Sequence, residues 1–202
     1  MKNSIEMSDT VNVSDNNGIR GVVSCFLNGK HLFTKHNTIV NFGRQFIEAS
    51  FLKHFITGST TLFEFEDGDG KSLENYKLYR VYLGTGSQGT ISTFSKESFQ
   101  KIKDAEGNDV KNYYQSFESI AENMEIKLSN KSIQFKCHFD GDENNPATIQ
   151  ELAIFIAPYE FNENTEELEF NDGNSEIFSR LVFDPITVGA GSSFDLEYYI
   201  YF

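Results

Sequence analysis

Residues able to do chemistry are plentiful in this 202-residue chain, but their spacing rarely suits it. Four histidines, His31, His36, His54 and His138, are the first candidates for metal binding or proton transfer. None falls in an H-E-x-x-H pattern, which would set two imidazoles on one helix face. Cys137 and His138 are adjacent, yet neighbours on a strand point to opposite faces and share no metal unless a bulge intervenes. Asp67-Gly68-Asp69-Gly70 and Asp140-Gly141-Asp142-Glu143 look like pieces of calcium loops. Both lack the D-x-[DN]-x-[DN]-G spacing and the closing bidentate Glu that supply enough oxygens.

Gly84-Thr85-Gly86 follows a strand-like run, as a phosphate loop does. The next glycine is Gly89, no helical pattern opens there, and no G-x-x-x-x-G-K-[ST] is present, so a tight turn is expected. No G-x-S-x-G elbow exposes a serine nucleophile. Carboxylates abound, and spacing alone selects no catalytic pair. Tyr79, Tyr82, Tyr113, Tyr114, Tyr198, Tyr199 and Tyr201 could stack on sugars, although strand aromatics more often serve a core or an interface. The expectation is a non-enzymatic chain with no catalytic, cofactor-binding or metal residues.

Charge narrows the partners. The chain has 17 Lys+Arg against 30 Asp+Glu, a formal net charge of −13. Phosphate binding needs clustered cations, so neither nucleic acid nor an anionic membrane surface is an expected partner. Lys127, Lys131 and Lys136 are spread along one candidate hairpin rather than clustered. No stretch approaches the ~18 apolar residues of a membrane span. Cys25 and Cys137 sit in apolar runs and read as small hydrophobes rather than a disulfide framework, which suits folding in a reducing cytosol. Residues 1–18 are polar, lack the apolar run of a secretory leader, and are expected to form a flexible arm.

The elements that must position these residues are mostly strands. Residues 19–27 and 30–34 flank Asn28-Gly29, the pair that suits a two-residue hairpin turn with positive φ at both positions. Ile47, Phe51 and Phe55 recur every four residues, which predicts an amphipathic helix at about 41–57. Residues 76–83 read as a strand. Residues 87–120 look like an extended polar excursion over the surface, with a short helix near 96–102. Residues 124–128 and 133–139 alternate as a hairpin, and Leu152–Ile156 is apolar on both faces, as a central strand is. Residues 64–74 and 159–174 read as acidic loops. Residues 177–183 and 194–202 complete the set, separated by Asp184-Pro185 and Gly189-Ala190-Gly191. With 20 Phe and no Trp, the pattern predicts a mainly β fold: a two-sheet antiparallel β-sandwich over 19–202 with one packed α-helix.

Several short motifs recur in a recognisable order. Asn37-Thr38-Ile39-Val40-Asn41-Phe42-Gly43-Arg44 opens the helix. Tyr82-Leu83-Gly84-Thr85-Gly86 ends a strand, and Gln150-Glu151-Leu152-Ala153-Ile154-Phe155 begins another. Phe178-Ser179-Arg180-Leu181-Val182-Phe183-Asp184-Pro185-Ile186 then leads to Tyr198-Tyr199-Ile200-Tyr201-Phe202. Over residues 37–202 this order resembles small structural proteins of tailed-bacteriophage virions, found in tail, baseplate and neck assemblies. The closing strand has Tyr where that class often has Trp. The resemblance implies a virion structural protein made in the host cytoplasm, forming homo-oligomers and contacting other virion proteins. The alternative, from a different class, is a carbohydrate-binding module, lectin-like or receptor-binding.

Two charged residues stand out within these motifs. Glu151 and Arg180 occupy strand positions between apolar residues. An unpaired charge there would be costly, so an ion pair across neighbouring strands is one reading, and two separate solvent-facing charges the other.

Overall fold

Alternation of apolar and polar residues dictates the strands. The computed structural model describes residues 20–40, 43–47, 76–86, 96–117, 120 and 132–201. Nine strands run through them: β1 Arg20–Leu27, β2 Lys30–Ile39, β3 Tyr76–Gly84, β4 Tyr114–Ser116, β5 Ser132–Asp140, β6 Ala147–Asn162, β7 Glu167–Phe170, β8 Glu176–Val188 and β9 Ser193–Tyr201. The fold is mainly β, and the strand pairs are antiparallel.

One sheet has the order β2-β1-β9-β5 and the other β4-β3-β6-β8, with β7 paired to the far end of β6. Strand β2 joins them. Most of its length pairs with β1, and its last two residues, Thr38 and Ile39, pair with Arg180 and Ser179 of β8. Asn28 (φ 51°) and Gly29 (φ 74°) make the β1–β2 turn in the left-handed conformation that this dipeptide tolerates.

Strand β9 alternates as its sequence does: Phe194, Leu196, Tyr198 and Ile200 are buried, and the residues between them are half-buried. These side chains share one apolar cluster with Val23, Cys25, Phe135 and Cys137 of the first sheet and with Leu83, Leu152, Ile154 and Phe183 of the second. The Phe183 ring lies 5.2 Å from that of Phe33 and 6.4 Å from that of Phe194. The Tyr198 hydroxyl accepts a bond from Asn37 Nδ2 (2.8 Å) and lies 2.9 Å from Ser179 Oγ, which ties β9 to β2 and β8. Cys25 and Cys137 both oppose Leu196, one on each side of β9. They are thus two strand spacings apart, about 9–10 Å, and both remain free, buried thiols.

Residues 43–47 are helical. Gly43 lies so close to β8 that a Cβ there would sit 2.1 Å from the Phe178 carbonyl oxygen. The remainder of the expected helix, the arm at 1–18, the acidic residues 64–74, the strand at 124–128, His54 and Phe202 lie outside the described residues.

The structure corrects four sequence readings. Residues 96–117 and 120, within the expected excursion at 87–120, do not simply run over the surface: Phe99, Ile102, Val110, Tyr113 and Ile120 are buried. Instead of a short helix at 96–102 there is one 3-10 turn, Lys96–Ser98, followed by irregular backbone. Residues 159–174 are not a loop, because β6 continues to Asn162 and returns as β7. Strand β8 does not stop at Asp184-Pro185 but runs on to Val188. Proline cannot donate to a ladder, and here none is asked of it. The register slips between Glu151↔Val182 and Ile149↔Ile186, which leaves Pro185 in a bulge.

Candidate functional site

The second sheet buries both faces. Side chains of one face belong to the main apolar cluster, which residues of the first sheet share. On its other face Tyr79, Tyr82, Phe99, Ala153, Phe155 and Ile177 form a smaller one. Segment 96–101 lies over this opposite face. It is held by Thr85 N–H to the Gln100 carbonyl (3.0 Å) and by a bridge between Gly84 and Lys101.

Beneath that segment lie Glu151 on β6 and Arg180 on β8, both 0% exposed. The structure brings them together: an Arg180 guanidinium nitrogen contacts Glu151 Oε2. Glu151 opposes Val182, and Arg180 opposes Ala153, so the pair is diagonal across the ladder. The covering segment supplies further partners. The Gln100 N–H donates to Glu151 Oε1 (3.1 Å), and Arg180 Nη1 donates to Ser98 Oγ (3.2 Å). The Phe99 ring centre lies 5.7 Å from the guanidinium carbon. Burial pushes the Glu151 carboxyl above its ordinary range, against the pull of Gln100 N–H and Arg180. Burial also lowers Arg180, and Glu151 opposes that.

Glycine makes room for the pair. A Cβ on Gly84 would lie 2.8 Å from Glu151 Cγ, 2.8 Å from Phe99 Cζ and 2.9 Å from the Gln100 carbonyl oxygen. Gly84-Thr85-Gly86 is therefore a close-packed strand end against Glu151 and Gln150. Neither charged group reaches solvent, so as it stands the pair fastens β6, β8 and segment 96–101 rather than touching a substrate.

Two polar networks escaped the sequence. In the first, Arg80 Nη1 donates to the Tyr82 hydroxyl (2.9 Å), and Lys101 Nζ donates to that hydroxyl (3.3 Å) and to Asp109 (3.1 Å). Arg80 and Tyr82 are two apart on β3, but Lys101 and Asp109 come from a later segment, with no common period to reveal the set. In the second, His138 on β5 lies between Asp195 on β9 and Asp140, with one ring nitrogen on each. The Asp195 hydrogen bond is the main cause that raises the His138 pKa above its ordinary value. With a carboxylate on each ring nitrogen, the protonated form of that imidazole is favoured. His138 points away from the buried Cys137, as strand alternation requires.

The second network borders an open depression of about 600 Å³, with Phe26, Gln115, Lys136, His138 and Glu197 among its lining. Of the seven tyrosines singled out above, Tyr79, Tyr82, Tyr113 and Tyr198 are buried, and Tyr114, Tyr199 and Tyr201 are half-buried. His31 and His36 are exposed on β2. Asp142 Oδ1 accepts from the backbone N–H groups of Asn144 (2.8 Å) and Asn145 (2.9 Å), so its carboxylate closes a turn. Among the described residues, no three His, Cys, Asp or Glu side chains gather as a metal site. No helix among them is long and apolar enough to cross a membrane.

Fold and site together define a mainly antiparallel-β protein with a fully buried, covered ion pair. Compared with protein families, curated proteins and solved structures, the chain matches none.

Proposed function

We propose that the chain is a non-enzymatic structural subunit of a tailed-bacteriophage virion, associated with tail, baseplate or neck, and that it acts through protein–protein assembly. In this reading the two sheets pack face to face as a β-sandwich with the helix beside them. The chain folds in the host cytoplasm, forms homo-oligomers and is carried in the particle. The observation that carries the proposal is convergence. The motif residues behind the resemblance, which are far apart in sequence, meet around β8. Gly43 rests on Phe178, Gly84 rests on Glu151, and Glu151 pairs with Arg180. Their common task is to brace a rigid frame, as an assembly subunit requires, and none of them faces a substrate.

A carbohydrate-binding module is the second reading. The open depression beside β5 and β9 favours it, since it offers one aromatic ring, Phe26, and several polar groups. A glycan array probed with the full chain separates the two. The assembly reading expects no retention above background, together with co-purification of the chain with particles. Selective glycan retention without particle association would replace it with the second reading.

A further inference from the structure

An arginine without an acid is unexpected in a chain with 30 Asp+Glu and 17 Lys+Arg. On β3, the Arg80 guanidinium lies 4.3 Å from the Tyr79 ring centre and 4.7 Å from that of Tyr114. Tyr79 shares the outer face with Arg80 because the β3–β6 register slips between Leu78 and Arg80. Arg80 makes one hydrogen bond, to Tyr82, and its Nε is buried without a partner. No carboxylate of the described residues lies within ion-pair distance of it; Asp172 acts on it only through space. Just before the bulge, on the same face, exposed Lys77 sits 4.5 Å over the Tyr159 ring, also with no carboxylate of the described residues within ion-pair distance. Arg80 lies over the Tyr79 and Tyr114 rings and Lys77 over Tyr159, so this patch suits an anion better than a sugar stacking on open rings.

Its complement is on the same chain. Past Pro158, β6 loses its other neighbours and pairs with β7 alone. Near the tip, Phe161 is 59% exposed. The turn that follows carries exposed Glu163 and Glu166, with no cation bound to either among the described residues, whereas Glu160 and Glu169 are held by Asn171 and Asn162. Two cations with no carboxylate partner among the described residues on one surface, and two carboxylates with no cation partner among them beside an exposed phenyl ring on another, are complementary.

We infer that the β6–β7 tip of one copy docks on the Lys77–Arg80 patch of a second copy, with Glu163 and Glu166 meeting the cations and Phe161 supplying the apolar contact. The inference deepens the assembly reading and rests on it. A contact between two different surfaces of one chain closes as a reciprocal pair or a ring, or propagates as an open filament, and the measured mass distinguishes these.

Charge reversal tests it, using the full chain in sedimentation velocity over a range of concentration and salt. Wild type is expected to associate with rising concentration and less so in high salt. Lys77→Glu/Arg80→Glu, or Glu163→Lys/Glu166→Lys, is expected to weaken association ~10-fold or more, and an equimolar mixture of the two to restore it. Because Arg80 is half-buried, Lys77→Glu alone and the tip variant, all at exposed positions, keep the test valid if the double patch variant unfolds. Variants that associate as wild type does overturn the docking while leaving the assembly reading intact. Wild type that stays monomeric at every concentration also overturns it, as occupancy of the patch by the chain's own acidic residues 64–70 would produce. Absence from particles as well would remove the assembly reading itself.

Discussion

Glu151 and Arg180 meet diagonally across β6 and β8, with neither side chain exposed to solvent. Such a pair need not add net stability over a well-packed apolar one, because desolvation offsets much of the attraction. Its larger consequence is positional. Each charge is satisfied only when β6, β8 and segment 96–101 are all in place.

Removing one partner should therefore cost more than removing both. Glu151→Leu or Arg180→Met alone is expected to lower unfolding stability by about 3–5 kcal/mol, since the survivor stays buried and unpaired. Glu151→Leu/Arg180→Met is expected to recover a large part of that loss. Urea denaturation of the full double-mutant cycle reads the coupling, and additive losses would contradict the bracing role.

Gly84→Ala probes the same joint without touching a charge. The added methyl meets Glu151, Phe99 and the Gln100 carbonyl at under 3.0 Å. Overpacking of this kind is expected to cost about 1–3 kcal/mol, read as a lower denaturation midpoint at unchanged m-value. A silent substitution would mean that segment 96–101 does not bear on the strand end.

Tyr198→Phe removes the hydroxyl that joins β9 to Asn37 and Ser179. The expected loss is about 1–2 kcal/mol in thermal or urea unfolding, because buried polar partners lose one bond each. An unchanged midpoint would show that water replaces the hydroxyl.

His138 provides the pH dependence. Its folded pKa is raised by Asp195 and Asp140, so the folded state holds this proton more tightly than the unfolded chain. The associated stability is complete below the unfolded value of about 6.5 and is lost as pH rises through the folded value. In an NMR titration the imidazole should titrate above 6.5 in wild type and nearer 6.5 in Asp195→Asn. The same titration midpoint in both would contradict the pairing.

Much of the fold can be read from the sequence where burial follows a period. Strands β5 and β9 alternate residue by residue, Leu152–Ile156 is apolar on both faces, and Asn28-Gly29 marks its turn. Legibility fails where burial has no period. Phe99, Ile102 and Val110 are single apolar residues in polar surroundings, buried because Phe99 joins the outer cluster and Ile102 and Val110 the main one. The β6–β7 hairpin is invisible for a different reason. Its sequence is rich in acidic residues, so it looks like a loop, while its order comes from backbone pairing that composition does not report. Glu151 and Arg180 were conspicuous as charges among apolar neighbours, but their diagonal meeting depends on the bulges that set the β6–β8 register. The Arg80 and His138 networks join residues from separate strands and turns, which no local pattern announces.

Quantitative mass spectrometry of virus particles purified from cells that produce this chain tests the central claim most directly. The assembly account predicts the chain in the particle at a fixed copy number greater than one, retained through salt and detergent washes. A chain that is abundant in the infected cell and absent from washed particles would contradict it.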